Sequence, residues 1–436
     1  MLYDKILNDT AHIVVMGLGY VGLPVATEFA RAGFKVTGLD PDTSKIESLQ
    51  RGESYLDRPS TNLLEALALA PEKRRFQATS DPAVLATADV VIICVPTPLN
   101  KTKDPDLSLV SGAVAQIAEH QHKDMLVILE STSYPGTTRE FLVPQLTRNY
   151  TIGKDIFVGY SPERIDPGNP QYHLTNTPKL VSGITDLCGQ MTHRLYLKIS
   201  MQLMPVSSPE VAEMSKILEN SFRAVNIGLA NEIALISKKL GVDPFEVIDA
   251  AATKPFGFMP FYPGPGLGGH CIPVDPLYLT WKLRAFQSQA RFIELADTIN
   301  SSMPGHVVGI VSEALNSVYK SVAGSKILIL GVAYKPDVAD MRESPVIPII
   351  QKLLALKAKV FYEDSFVPHI SEHEGVEMSA TEGADYGDYD LVVITTPHKT
   401  IDLKKVLSKA KLIVDTRGVL RDDNGRTLKW PHLFRI

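Results

Sequence analysis

A short apolar strand that runs into a glycine turn and out again as a helix leaves few folds open. His12-Ile13-Val14-Val15-Met16 is such a strand, and Gly17-Leu18-Gly19-Tyr20-Val21-Gly22 follows it at once. Pro24 to Arg31 then carries helical spacing through Val25, Ala26, Phe29 and Ala30 and is closed by Gly33. Phe34 to Leu39 is a second strand, ending on Asp40. Strand, turn, helix and strand within about 30 residues make a βαβ unit. Gly17 allows the tight turn, Gly19 lets backbone N–H groups approach a pyrophosphate, and Gly22 lets the helix pack closely on the strand. Tyr20 and Val21 complete the turn as cofactor-binding residues. Asp40 can accept hydrogen bonds from ribose hydroxyls. A carboxylate there repels a 2′-phosphate and no Arg follows closely, so NAD is favoured over NADP.

At 436 residues the chain is long enough for about three domains. Strands at Val90–Val95 and Leu126–Leu129 alternate with helical pattern, which implies a mainly parallel, doubly wound sheet. From Ser207 the pattern changes. Ser207 and Glu210 fit a capping box with Pro209 in the first turn, and helical periodicity then runs to Leu240 before Gly241. A helix of this length reads as an interdomain spine and a dimer interface. A second helix spans Pro244 to Ala252.

Lys326 to Gly331 restarts a strand-and-glycine pattern, followed by a helix from Val346 to Ala355, the strand Lys359–Tyr362 and Asp364. Asp390 to Pro397 echoes Asp89 to Pro96, and Lys411–Asp415 is another strand. The expected fold is α/β: two Rossmann-like doubly wound domains joined by a central helical domain with one long helix. Domain boundaries are expected at 1–205, 206–305 and 306–436. The second Rossmann-like unit lacks the full glycine fingerprint after Gly331, so it is not expected to hold a dinucleotide the same way.

The net charge of −5 and the absence of a long basic run disfavour a nucleic-acid partner. No apolar stretch reaches the roughly 18 residues that a membrane helix needs. The polar Met1–Lys5 start, leading straight into a strand, shows no signal peptide. Cys94, Cys188 and Cys271 are odd in number and widely spaced, which argues against a disulfide framework and for the reducing cytosol, hence a cytoplasmic protein.

Cys94, in a strand, and Cys188, near a helix, read as core residues. Cys271 stands apart. It lies in Gly264-Pro265-Gly266-Leu267-Gly268-Gly269-His270-Cys271-Ile272-Pro273-Val274-Asp275, a loop whose glycines let a ligand approach the backbone. No CxxC pair accompanies it, so no metal site is expected. A thiolate beside a hydride acceptor suits aldehyde oxidation: addition gives a thiohemiacetal, hydride loss gives a thioester, and water releases the acid. Such a site needs a cation or donor for the oxyanion and a carboxylate for proton transfer. Lys216 and Asn220, spaced i, i+4, share a face of the long helix. Tyr160-Ser161-Pro162-Glu163-Arg164-Ile165-Asp166-Pro167-Gly168 forms a loop after the strand Ile156–Val158, where it faces a cofactor crevice.

Together these residues resemble the UDP-glucose/GDP-mannose 6-dehydrogenase family over essentially the whole chain. The resemblance rests on GLGYVGLP from Gly17, CVPTP from Cys94, ESTSYPGTT from Glu130, YSPERIDPGN from Tyr160, EMSKILEN from Glu213, GPGLGGHCIPVDP from Gly264 and GVAYKPDVADMRESP from Gly331. It implies an NAD domain, a helical dimerising middle and a C-terminal UDP-binding domain. It also implies roles: Cys271 as the catalytic thiol, Lys216 and Asn220 as the oxyanion pair, Asp275 as the carboxylate assisting proton transfer. Glu163 and Thr132 match the residues that hold the hydrolytic water. Lys45, Thr97, Thr132 and Arg342 match cofactor contacts. Lys335, the loop Pro260-Phe261-Tyr262-Pro263-Gly264 and Gly268 match substrate positions, together with Glu163, Lys216 and Asn220.

The runs His270–Asp275 and Thr253–Pro260 resemble the branch acting on UDP-N-acetylhexosamines, closest to UDP-N-acetylglucosamine 6-dehydrogenases of bacterial surface-polysaccharide pathways. The implied partners are a UDP-sugar and further copies of the chain, as a homodimer or higher homo-oligomer. Two rival readings predict different stoichiometries. A two-electron dehydrogenase with a structural Cys271 gives one NADH per sugar. A nucleotide-sugar or NAD sensor is stabilised by ligand and gives none.

Overall fold

The computed structural model describes all residues except 57–62, 64, 66–74, 101, 166–170, 374, 382 and 423–424. Asp166, Pro167 and Gly168 of the expected crevice loop therefore lie outside the described residues. The chain divides into two compact units, Met1–Glu219 with Leu277–Gln287, and Asn220–Pro276 with Ser288–Ile436.

In the first unit, α1 (Leu2–Leu7) precedes β1 (His12–Met16), α2 (Gly22–Arg31), β2 (Lys35–Leu39), α3 (Thr43–Arg51), β3 (Phe76–Thr79) and β4 (Val90–Ile93). Then come α4 (Ser108–His120), β5 (Met125–Leu129), α5 (Val143–Leu146), β6 (Ile156–Tyr160), β7 (Lys179–Gly183), α6 (Asp186–Tyr196) and β8 (Leu203–Pro205). The eight strands order as β3-β2-β1-β4-β5-β6-β7-β8. Every neighbouring pair is parallel except β6 with β7. Alternate strand residues feed two cores. Ile13, Val15, Leu126 and Ile128 pack with Phe29, Cys188 and Tyr196 on one face. Val14, Met16, Val127 and Leu129 pack with Val110, Val114 and Ile117 on the other. Burial on both faces explains why these strands read as continuous apolar runs. The strand order reverses between β1 and β4, which opens a crevice at their C-terminal ends.

The helix α7 (Pro209–Leu240) has 32 residues and its residues fall in both units. At 1.5 Å per residue it is about 48 Å long. The second unit continues with α8 (Pro244–Ala252), α9 (Asp275–Arg284, most of it in the first unit), α10 (Arg291–Asn316), β9 (Lys326–Leu330), α11 (Val346–Ala355) and β10 (Lys359–Glu363). A hairpin of β11 (His369–His373) and β12 (Val376–Ser379) follows, then β13 (Leu391–Ile394), α12 (Leu403–Lys409), β14 (Ile413–Asp415) and β15 (Leu433–Arg435). Five parallel strands order as β10-β9-β13-β14-β15. Ile327 and Ile329 face one core with α10 and α11, and Leu328 and Leu330 face the other. The chain is thus α/β with two mainly parallel, doubly wound sheets, a 32-residue helix and a second long helix of 26 residues.

The structure departs from the sequence expectation at five local points. The chain does not lead straight into β1: α1 comes first, because Leu2 and Ile6, one turn apart, are both buried. The cap of α7 is Ser208 rather than Ser207. Its Oγ accepts the Val211 N–H at 3.4 Å, and Pro209, with its fixed φ, takes the first helical position, so no capping box with Glu210 forms. Cys94 lies just past β4 rather than in it, and Cys188 lies inside α6. Tyr160 is the last residue of β6, not part of the loop, because its pairing with Leu129 and Ser182 extends the strand.

Candidate active site

The turn after β1 is shaped by its neighbours. Gly17 has φ +88°, and a Cβ on it would lie 2.8 Å from the Cys94 carbonyl oxygen. A Cβ on Gly22 would lie 1.8 Å from the Gly17 carbonyl, whereas Gly19 has nothing within 4 Å and presents open backbone. Asp40, 5% exposed, accepts the Leu18 N–H at 2.8 Å and the Asp42 N–H at 3.0 Å. Lys45 pairs with the same carboxylate at 3.1 Å. Tyr55 donates its hydroxyl to the Leu18 carbonyl, and burial followed by the nearby Asp40 and Asp42 charges pushes its pKa up. The Thr97 carbonyl accepts the Tyr278 hydroxyl at 2.5 Å. Open backbone at Gly19, packed glycines on either side and an anchored carboxylate at the end of β2 fit an adenine dinucleotide.

At the ends of the next strands, Thr132 is half-buried two residues after Glu130. Glu163, 8% exposed, accepts the N–H groups of Arg164 (2.7 Å) and Ile165 through Oε1. Its Oε2 is buried and has no hydrogen-bond partner among the described residues. On α7, Lys216 is buried without a salt bridge to any described carboxylate, and Asn220 one turn on is buried as well.

In the second unit the thiol loop is fixed from several sides. Gly264 donates its N–H to Asn231 Oδ1 at 2.9 Å, and Asn231 in turn donates to Asn300 at 2.8 Å. Gly269, at φ +85°, donates to the Arg342 carbonyl at 2.9 Å, and a Cβ on it would meet the Tyr334 ring at 2.8 Å. A Cβ on Gly268 would meet Tyr334 at 2.7 Å. Cys271 is half-buried, and its carbonyl accepts the N–H groups of Val274 (3.1 Å) and Asp275 (2.8 Å) at the start of α9. Asp275, 2% exposed, accepts the Asn220 amide at 2.5 Å. The fold thus brings Cys271, Asp275 and Asn220 together. Arg342 is held by Asp340 at 2.7 Å, and Lys335 is half-buried on the loop after β9. Pro260 and Tyr262 are exposed, Phe261 is half-buried against Phe222 at 5.7 Å, and Pro263 and Gly264 are buried.

Residues to which the sequence assigned no role also stand out. Arg417 lies beside the substrate loop: a Cβ on Gly264 would be 2.5 Å from Nη1. Its Nε donates to the Thr395 carbonyl at 2.8 Å, and burial lowers its pKa to about 10, so it stays charged at neutral pH. Glu130 and Lys179 form a fully buried ion pair at 3.2 Å in the first unit. Glu130 opens the ESTSYPGTT motif without an assigned role, and Lys179 and Arg417 lie outside every quoted motif. The second sheet repeats the β1 turn: Gly331 also has φ +88°, and Asp364 accepts the N–H groups of Val332 and Ala333 at 2.8 and 3.0 Å.

A dinucleotide turn on one doubly wound sheet, a second such sheet and a thiol loop held by acid and amide define a dinucleotide-dependent oxidoreductase. The NAD binding domain of the UDP-glucose/GDP-mannose dehydrogenase family matches residues 11–200, its central domain 210–302 and its UDP binding domain 328–422. A UDP-N-acetyl-D-glucosamine 6-dehydrogenase of Pseudomonas aeruginosa is 33% identical, covering 94% of this chain and 97% of that protein. An NDP-N-acetyl-D-galactosaminuronic acid dehydrogenase of Ralstonia nicotianae is 33% identical, covering 94% and 96%. A solved UDP-D-ManNAc dehydrogenase from Pyrococcus horikoshii superposes with a TM-score of 0.85 at 31% identity, covering 98% of this chain and 99% of that one. The chain belongs to the UDP-glucose/GDP-mannose dehydrogenase family. It is a nucleotide-sugar dehydrogenase whose cofactor is NAD. Among the described residues no helix is long and apolar enough to cross a membrane, and no group of three His, Cys, Asp or Glu could hold a metal.

Proposed function

We propose that this protein oxidises the C6 hydroxyl of a UDP-N-acetylhexosamine, UDP-N-acetyl-D-glucosamine in the first place, to the UDP-uronic acid. The observation that carries the reading is the Cys271 loop, whose carbonyl caps α9 at Asp275 while Asp275 accepts from Asn220. NAD supplies the hydride acceptor for both two-electron steps. Its holders are the Gly17–Gly22 turn, Asp40, Lys45, Thr97, Thr132 and Arg342. The Cys271 thiolate adds to the C6 aldehyde, and Lys216 and Asn220 stabilise the oxyanion that forms. Asp275 takes part in proton transfer. Thr132 and Glu163 hold the water that hydrolyses the thioester. Pro260 to Gly264, Gly268 and Lys335, with Arg417 beside Gly264, bind the nucleotide-sugar.

The N-acetyl sugar class is supported by the names of all three relatives, which differ in sugar stereochemistry. The gluco choice rests on the Pseudomonas relative and on the run around His270 and Cys271. The reading divides the chain into an NAD domain (1–205), a dimerising helical domain (206–305) and a UDP domain (306–436). It places the protein in the cytoplasm, making surface-polysaccharide precursors. A homodimer or higher homo-oligomer is supported by an apolar stripe along α7: Val211, Met214, Leu218, Phe222, Leu229, Ile236 and Leu240 are exposed at helical spacing.

The test is the NADH yield per sugar on UDP-N-acetylglucosamine, UDP-N-acetylmannosamine, UDP-N-acetylgalactosamine and UDP-glucose. Two NADH per sugar, with the highest kcat/KM on UDP-N-acetylglucosamine, is the expected result. One NADH per sugar overturns the thioester route, and a preference for another sugar overturns the substrate.

A further inference from the structure

The first unit buries an ion pair whose partners belong to different loops. Glu130 immediately follows β5 and stands two residues before Thr132, and Lys179 opens β7. Their side chains are 0% and 4% exposed and meet at 3.2 Å. Tyr196 of α6 donates its hydroxyl to Glu130, and the Lys179 ammonium lies 4.9 Å from the Tyr196 ring centre. Lys179 also donates to the Pro162 carbonyl at 3.4 Å, one residue before Glu163.

Such a pair is a poor device for stability. Desolvating each ion costs several kcal/mol, and apolar residues of similar volume usually serve as well. Its placement is more specific. One partner holds the loop that carries Thr132, and the other holds the loop that carries Glu163. The charged and titratable groups facing it are Glu163, Cys94 and Tyr196. Burial pushes the Cys94 thiol and the Tyr196 hydroxyl well up, so both stay neutral. Burial alone would lower Lys179, but the Glu130 and Glu163 carboxylates outweigh it and raise its pKa, so it stays charged. Lys179 is the one cation named among these groups, and burial, only partly offset by Lys179, raises the Glu130 carboxyl above its usual range.

We propose that Glu130 and Lys179 are positioning residues for thioester hydrolysis, tying the Thr132 loop to the Glu163 loop so that both side chains hold the water. The proposal rests on the reading above, in which these loops hold that water. Hydrolysis forms a C–O bond from water to the acyl carbon and breaks the C–S bond. Sulfur leaves as the Cys271 thiolate, and the water proton passes to Glu163.

The test uses full-length Lys179→Met/Glu130→Gln, which removes both charges and nearly preserves shape, alongside Lys179→Arg. The double variant is expected to melt near wild type and retain its first-turnover burst of NADH. Its steady-state rate is expected to fall roughly tenfold or more, as for the loss of an electrostatic contact around a reacting group. Intact-protein mass spectrometry then shows acyl-enzyme accumulating on Cys271, and Lys179→Arg restores much of the rate. A well-folded double variant with wild-type rate and acyl-enzyme lifetime overturns the proposal. Should the double variant not fold, Glu130→Gln alone decides: a longer acyl-enzyme lifetime supports the proposal and an unchanged one overturns it. A wild-type enzyme that never carries an acyl group under turnover refutes the parent reading instead.

Discussion

The amide of Asn220 donates to the Asp275 carboxylate at 2.5 Å, and both side chains are buried. Asp275 opens α9 four residues after Cys271, so this bond joins the long helix to the thiol loop. Asn220→Asp would set a second carboxylate against the first, and one of the two would then hold a proton. The paired pKa rises, so the variant's stability is intact below the ordinary carboxylate pKa and is lost as pH rises through the raised value. A loss of about 3 kcal/mol at neutral pH is expected, equivalent to about two pKa units. Thermal melts should match wild type near about pH 4 and fall behind it near about pH 7. A deficit equal at both values would refute the coupling. Asn220→Ala is expected to cost about a hundredfold in kcat.

Asp40 does two things at the cofactor turn. It anchors the turn through the Leu18 N–H and it pairs with Lys45. Asp40→Asn keeps a hydrogen-bond acceptor but removes the charge. The Kd for NAD is expected to rise about tenfold, or about 1.4 kcal/mol, while NADP binding improves because the repulsion of its 2′-phosphate is gone. Calorimetric titration with both dinucleotides measures this. Unchanged discrimination would show that the charge does not set cofactor choice.

What could be read from sequence was local. The Gly17–Gly22 turn, the strand ends at Asp40 and Asp364, and the 32-residue helix ending before Gly241 all follow from short-range spacing and backbone chemistry. The Cys271 loop stood out because glycines and prolines cluster there. Contacts between distant segments were silent. Lys179 reads as an ordinary strand residue until Glu130 and Pro162 surround it, and Arg417 reads as a surface residue until Gly264 packs against its guanidinium. Ser208 displaced Ser207 as the cap because the fixed φ of Pro209 sets the first helical position, and residue-type preference alone does not distinguish two adjacent serines.

Asp364 is the most heavily bonded carboxylate of the second sheet. It accepts the N–H groups of Val332, Ala333, Phe366 and Val367, and His398 Nε2 meets it at 3.0 Å. Burial alone would raise its pKa, but the bonds from His398, Val332 and Ala333 outweigh it and hold the carboxyl below its usual value. A depressed folded pKa means that the stability is present above the unfolded value and is lost as pH falls through the folded one. Asp364→Asn is therefore expected to lose about 2–3 kcal/mol at neutral pH, the scale for hydrogen bonds to a charged group. The difference from wild type should shrink as urea melts are taken from about pH 6 to about pH 3. A gap that stays constant over that window would mean that the charge contributes nothing.

The apolar stripe of α7 makes the last prediction. Val211, Met214, Leu218 and Phe222 repeat every three or four residues, and Leu229, Ile236 and Leu240 continue the stripe, so one face carries them over most of about 48 Å. Leu229 is 54% exposed and Leu240 72% exposed. Seven exposed large apolar side chains along one helix face mark an interaction surface. A second copy of the same helix offers a complementary, self-matching face, as two-fold interfaces require. Leu229→Glu would place a carboxylate from each copy in that interface, where desolvation and mutual repulsion both oppose association. Sedimentation velocity at micromolar protein should show wild type as a dimer or larger and the variant shifted towards monomer. The variant's melting temperature should lose its dependence on protein concentration, since dissociation no longer accompanies unfolding. Identical sedimentation of the two proteins would place the interface elsewhere.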